Sequence, residues 1–335
     1  MSTIVTFGET MLRLAPKDPG DRLARSREFR VEPGGSESNV AIALATLGHR
    51  TFHLTRLPQG PLGDLVVSHL RGLGVETGRI QRGGERVGCY WTEMGQGPRP
   101  GRVIYDRENS AFAAWPPGEV DWSAALAGAD WLHTSGITPA LSARSAQTLT
   151  QGLGTKLWRY LTGDATGEAG RIMAGLCHRC HLVLGNETDW GDVFGWEPEE
   201  AASLEQAHLP VARAAFERFK ELEAVAMSQR VSHSASVNTW SGLLYLRPPN
   251  GGGVRSFQGP VFELHSIVDR VGAGDAFAAG IIHGLLSWPG RPQEVVDFAV
   301  TLSALEHTLR GDACTFSQTE VLEALASKGS GRIIR

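Results

Sequence analysis

What most constrains the fold is a series of short, continuous apolar runs separated by helical stretches. Strand-like segments stand at IVTFGE (4–9), TFHLTRL (51–57), ADWLHTSGI (129–137), HLVLGN (181–186) and AVAMSQR (224–230). A strand covered on one face alternates apolar and polar residues, whereas one covered on both faces reads as an unbroken apolar run. The pattern predicts an α/β fold: a mainly parallel sheet flanked by helices. Two segments break the rhythm, RLAPKDPGDRLARSREFRVEPGG (13–35) and VGCYWTEMGQGPRPGRVIYDREN (87–109). Their Pro, Gly and alternating polar residues suit short projecting strands, so a small β lid (about 13–33 and 87–110) over a cleft is expected within one α/β domain spanning 1–335.

Composition narrows the function classes. With 335 residues, 41% hydrophobic and 20% charged, the chain reads as an ordinary soluble globule. A formal net charge of −4 offers no electrostatic footprint for nucleic acid or an anionic membrane. The N-terminal MSTIVTFGETMLRLAP enters an apolar strand without the pattern of a secretory signal, and no stretch approaches a membrane span. Cys89, Cys177, Cys180 and Cys314 are too few for a disulfide framework, which points to a reducing cytoplasm. CHRCH (177–181) has haem-attachment spacing but no export signal to go with it, and lacks a second ligand pair for zinc. GLGTK (152–156) has the wrong order for a Walker A phosphate loop.

The stretch VDRVGAGDAFAAG (268–280) carries the chemistry. Asp275 follows Gly272-Ala273-Gly274 at the first turn of an apolar helix. A helix N-terminus has unpaired N–H groups and about half a unit of positive charge, which suits a phosphate or an oxyanion. Two readings stand open for Asp275. It is an ordinary helix cap beside a glycine turn, or a base that takes a proton from an attacking hydroxyl while the N–H groups stabilise a transferring phosphoryl group. Far upstream, Gly34-Gly35-Ser36-Glu37-Ser38-Asn39 precedes the alanine-rich helix VAIALATLG, and Asn39 can offer both a donor and an acceptor to a hydroxyl.

Together, GG-x-x-x-N-x-A and D-x-x-GAGD make the chain resemble the ribokinase-like, or phosphofructokinase B, carbohydrate kinases. GETMLRLAP (8–16), RVIYDRENSA (102–111), SGITPALS (135–142), KLW (156–158), GNETD (185–189), SHSASVNTWSGLLY (232–245) and the final GSGRIIR narrow the resemblance to 2-keto-3-deoxygluconate kinases. It implies transfer of the ATP γ-phosphate to the sugar acid's 6-hydroxyl, with Asp275 as base and the N–H groups of Gly272, Ala273 and Gly274 as anion hole. The sugar acid would meet Gly34, Gly35, Asn39, Tyr90, Tyr105, Arg107 and Asp312, with Arg107 pairing its carboxylate. Nucleotide would meet Asn186, Ser228, Arg230, Gly272 and Gly274. The resemblance further implies Mg²⁺ reached through water from Asp189, a monovalent cation such as K⁺ near Asp269, and a homodimer through the lid. Ala299 and Ser303 suit either an adenine pocket floor or helix packing.

One block departs from the family. Between SGITPALS and KLW stands only ARSAQTLTQGLGT, where the family has a helix and then a strand ending Asp-x-Asn-Tyr-Arg; counting back puts Gly154 at the arginine's place. Residue counts predict a truncated strand/helix unit near 143–155, with a strand absent or irregular and ladder edges covered by residues such as 148–155. Arg159 and Lys156 are the nearby cations. Two alternatives to the sugar-acid kinase follow: a catalytically impaired homologue that binds sugar acid or nucleotide, and a kinase for a related sugar.

Overall fold

The computed structural model describes residues 1–152, 157–160, 168–186, 188–247 and 252–327. Gly154, Lys156 and the C-terminal GSGRIIR lie outside the described residues, as does the side chain of Arg159. A nine-stranded sheet forms the body. Six strands run parallel in the spatial order Arg50–Leu54, Thr3–Phe7, Trp131–Ser135, Leu157–Tyr160, Cys180–Asn186 and Ala224–Ser234. Val237–Leu246 then adds antiparallel and pairs on its far side with Arg255–Gln258 and Phe262–His265.

The unbroken apolar runs follow from burial on both faces. Val5, Leu132, Val183 and Val225 join one core, and their chain neighbours Ile4, Leu182, Leu184 and Ala226 join another on the opposite side. The helix Ala273–Ser287 is apolar on nearly every side because it lies between the sheet and the helix Pro292–Glu306. Gly280 permits that closeness, since a Cβ there would come 2.5 Å from the Ala299 backbone. Ala299 is therefore employed in helix packing, and the Ser303 hydroxyl donates to the Ala273 carbonyl at 2.6 Å.

The middle of the sheet refines the expectation. The unit is short: its helix, Ala143–Gly152, is followed by the strand Leu157–Tyr160, with a register shift between Leu157 and Trp158. Two crossovers nevertheless fit, through Ala143–Gly152 and Glu168–Cys177. Consecutive βαβ units share their middle strand, so counting a full unit twice overstates the chain required. Because Leu157–Tyr160 pairs with both neighbours, no open ladder edge is left there to cover.

A second sheet of four strands, in the order Phe29–Gly34, Met11–Pro16, Cys89–Glu93, Arg102–Asp106, is formed by the two segments that break the α/β rhythm. Arg13 joins it to the body. Its guanidinium, buried to 4% exposure, donates to Asp269 and Asp312, and the Tyr90 hydroxyl donates to Asp312 as well. Arg13→Met would leave two buried carboxylates without their countercharge, and we expect a loss of about 3–5 kcal/mol in urea unfolding at pH 7. A loss under about 1 kcal/mol would mean that apolar packing alone holds the sheets together.

Candidate active site

The site opens at the carboxyl ends of the parallel strands, where open α/β sheets expose loops and helix N-termini. Glu9 follows the strand Thr3–Phe7, and Asn186 ends Cys180–Asn186. A cavity of about 250 Å³ there is lined from the body by Asn39, the Gly272–Asp275 turn and Arg230, and from the small sheet by Tyr90, Tyr105 and Arg107. Residues more than two hundred positions apart in sequence thus share one cavity.

The geometry removes the cap reading of Asp275. Gly272 is the cap of the helix Ala273–Ser287, at φ 93°, and no side chain caps that end. Ala276 is the first N–H to find a helical acceptor, the Gly272 carbonyl at 2.8 Å, so the N–H groups before it are the open ones. Glycine is required at 272 for two reasons: the left-handed backbone, and a Cβ that would strike the Asp312 carbonyl. The Asp275 carboxylate turns away from the helix end, accepting from Ser36 Oγ at 2.6 Å and from Asn39 Nδ2 at 2.8 Å. Burial pushes its pKa up to about 7, with Asp312 and Glu37 adding to the rise, against the opposing bonds from Ser36 and Asn39. A carboxyl near 7 is suited to accept a proton at neutral pH.

The glycine pair has a steric purpose. A Cβ at Gly34 would meet the Tyr90 hydroxyl and Asp312, and one at Gly35 would meet the Glu9 carbonyl. Burial raises the Asp312 pKa, opposed first by Arg13 and then by the Tyr90 hydrogen bond. Tyr90 and Tyr105 lie opposite each other across two strands, with ring centroids 6.0 Å apart. Arg107 stands over the Tyr105 ring at 5.4 Å.

Arg107 already has a partner. Its Nε and Nη2 groups donate to Glu9 Oε2 at 2.9 and 2.5 Å, and Ser110 Oγ donates to the other Glu9 oxygen. An anion on Arg107 is therefore a second partner, reached through the guanidinium edge that Glu9 does not use. Asp269 is likewise committed: it takes Arg13 together with the N–H groups of Arg270 and Val271, at 2.8 and 3.1 Å. Asn186 and Asp189 close a turn on each other, the Asp189 carboxylate accepting the Asn186 N–H at 2.7 Å. Among the described residues no cluster of three or more His, Cys, Asp or Glu is set to hold a metal. Cys177 and Cys180 are buried, at a helix end and a strand start.

Sequence reasoning missed Glu9, Arg13, Ser36, Arg270 and His307, of which all but Arg13 line the cavity. Ser36 had a signal, lying within the glycine motif. Ser228 and Arg230 reach the cavity from the strand Ala224–Ser234.

Comparison with known proteins places the chain among carbohydrate kinases. The chain is 31% identical to the 2-dehydro-3-deoxygalactonokinase of Haloferax volcanii, over 98% of each protein. It is 28% identical to the 2-dehydro-3-deoxygluconokinase of Thermoproteus tenax, over 93% of this chain and 90% of that one. The crystal structure of the 2-dehydro-3-deoxygluconokinase of Thermotoga maritima superposes with a TM-score of 0.87 at 35% identity, covering 97% of this chain and 100% of that one. Since the family model for pfkB carbohydrate kinases also matches residues 1–218, the chain belongs to the pfkB family of carbohydrate kinases.

Proposed function

We propose that the protein phosphorylates a sugar acid with ATP, 2-keto-3-deoxygluconate being converted to its 6-phosphate. The observation that carries this reading is the Asp275 carboxyl, turned off its helix end toward Ser36 and Asn39 beside the open N–H groups of the Gly272–Gly274 turn. In the proposed step Asp275 accepts the hydroxyl proton and the sugar oxygen forms a bond to the γ-phosphorus. The bond from that phosphorus to the β-phosphate oxygen breaks, and ADP leaves with the electron pair. The N–H groups of the glycine turn stabilise charge on the phosphoryl oxygens. Mg²⁺ would arrive with ATP, which provides phosphate oxygens as ligands and so needs few from the protein. The oxygen donors of Asn186 and Asp189 suit such an ion through water, and its chemistry is neutralisation of phosphate charge.

The substrate class rests on relatives named for 2-dehydro-3-deoxy sugar acids and on Arg107 at the cavity wall. Tyr90, Tyr105, Asp312 and the glycine pair would frame the sugar, and the small sheet would act as a lid that excludes water. Val31, Val103, Ile104 and Tyr105 on that sheet are exposed, which supports a homodimer through it. The missing Asp-x-Asn-Tyr-Arg block favours a second reading, an impaired homologue that binds ligand without turnover.

A coupled ADP-release assay with ATP, Mg²⁺ and a panel of 2-keto-3-deoxy sugar acids, including the galactonate epimer, and neutral sugars separates the readings. We expect turnover on a sugar acid, reduced about a thousandfold or more in Asp275→Asn. Nucleotide binding with no turnover on any member would put the impaired reading first.

Two further outcomes are expected from the same assay. The ionised carboxylate is the active form, so kcat/KM should rise with pH through about 7, the value to which burial lifts Asp275. A profile flat from pH 5.5 to 8.5 would remove Asp275 as the titrating base. Arg107→Leu should raise KM for the sugar acid about tenfold more than for a neutral sugar. Equal effects would assign Arg107 to bracing Glu9 instead.

A further inference from the structure

The glycine turn is flanked by positive charge that the protein leaves unbalanced. Arg270 begins the turn two residues before Gly272, and Arg230 lies on the adjoining strand with its side chain exposed; both line the cavity that Asp275 faces. Neither makes an ion pair with a carboxylate among the described residues. Asp269, the chain neighbour of Arg270, is taken by Arg13.

Arg270 is nonetheless held firmly. It donates to the Ser234 carbonyl and to Asn238 Oδ1, the latter at 2.9 Å, while its buried Nε has no acceptor. Burial lowers its pKa and the charge of Arg230 lowers it further, so the two guanidiniums repel each other where they stand. Like charges held together without a countercharge cost free energy that a bound polyanion returns.

The ligand must carry several negative oxygens, since two guanidiniums and a helix N-terminus line one cavity. A monocarboxylate meets that description poorly, and Arg107 on the small sheet is already available for one. We propose that Arg270, paired with Arg230, binds the phosphate chain of the nucleotide beside the glycine turn. This assignment rests on the ATP-dependent reading above and adds Arg270 to the residues that the nucleotide touches.

Titration calorimetry of the full chain with Mg·ATP and with adenosine tests it. Arg270→Gln should weaken ATP binding about 10- to 100-fold, the range of a charged hydrogen bond, and leave adenosine affinity within about twofold. Arg270→Lys, which keeps the charge and loses the planar guanidinium, should weaken ATP binding less than Arg270→Gln does. Equal weakening of ATP and adenosine would overturn the proposal in favour of a structural role for the Ser234 and Asn238 bonds. Unchanged ATP affinity in both variants would overturn it outright. Where Arg270→Gln fails to fold, Arg270→Lys decides, since loss of the guanidinium should then weaken ATP binding and leave adenosine binding unchanged. If the unmodified protein itself bound no ATP, the nucleotide-dependent function would fall with it, whereas tight ATP binding unaffected by the variants removes only the role of Arg270.

Discussion

The Arg13 guanidinium, closed between Asp269 and Asp312, is the contact on which the site's geometry depends. Asp269 and Asp312 lie on either side of the helix that carries Asp275, and Arg13 lies on a strand of the small sheet. One side chain therefore fixes the distance between the part of the site that comes from the small sheet and the part that comes from the body. The Asp312 backbone then sets where Gly272 can lie, and its carboxylate receives the Tyr90 hydroxyl. A buried ion pair of this kind is a weak source of net stability, because desolvation offsets much of the attraction. Its value is positional: losing any one member strands the others.

Neighbouring carboxylates in the same low-polarity setting are given different partners. Glu9 and Asp269 each hold an arginine. Asp312 shares Arg13 and adds Tyr90. Asp275 is given only neutral donors, Ser36 and Asn39, so nothing of opposite charge offsets its burial. An acid kept near neutrality by what is withheld from it is one that can change protonation during a reaction cycle.

How far the sequence reveals such a site depends on whether its logic is local. The glycine turn and Asp275 stand within four consecutive residues, Gly34 to Asn39 within six, and Tyr105 and Arg107 two apart, so these groupings are legible as motifs. Arg13 reads as an ordinary strand arginine because its partners lie 256 and 299 residues away. Glu9 is hidden for the same reason, its arginine being 98 residues distant. The cap reading of Asp275 could not be rejected from sequence, since a capping and a non-capping carboxylate occupy the same first turn and differ only in where they point. In the middle of the sheet, the altered segment is visible as a missing block, but whether a strand survives there is a matter of pairing across the sheet. Backbone hydrogen bonds to two neighbours can hold a four-residue strand that its own sequence barely announces.

Under the proposed function, Glu9 also changes how Arg107 would discriminate. From sequence alone, a neutral sugar would leave Arg107 without a carboxylate; with Glu9 at 2.5 Å, that penalty is absent, because the arginine is paired in any case. Discrimination must then come from the free guanidinium edge alone. Glu9 spends the Nε–Nη2 edge and fixes the plane of the group, so the remaining edge is presented in one orientation without further ordering cost. An anion placed in that plane gains a fork, and a hydroxyl placed there gains a single ordinary hydrogen bond. The selectivity available is thus the difference between a charged and a neutral hydrogen bond, about 1–2 kcal/mol or roughly five- to thirtyfold, enough to favour a sugar acid without excluding its neutral analogues.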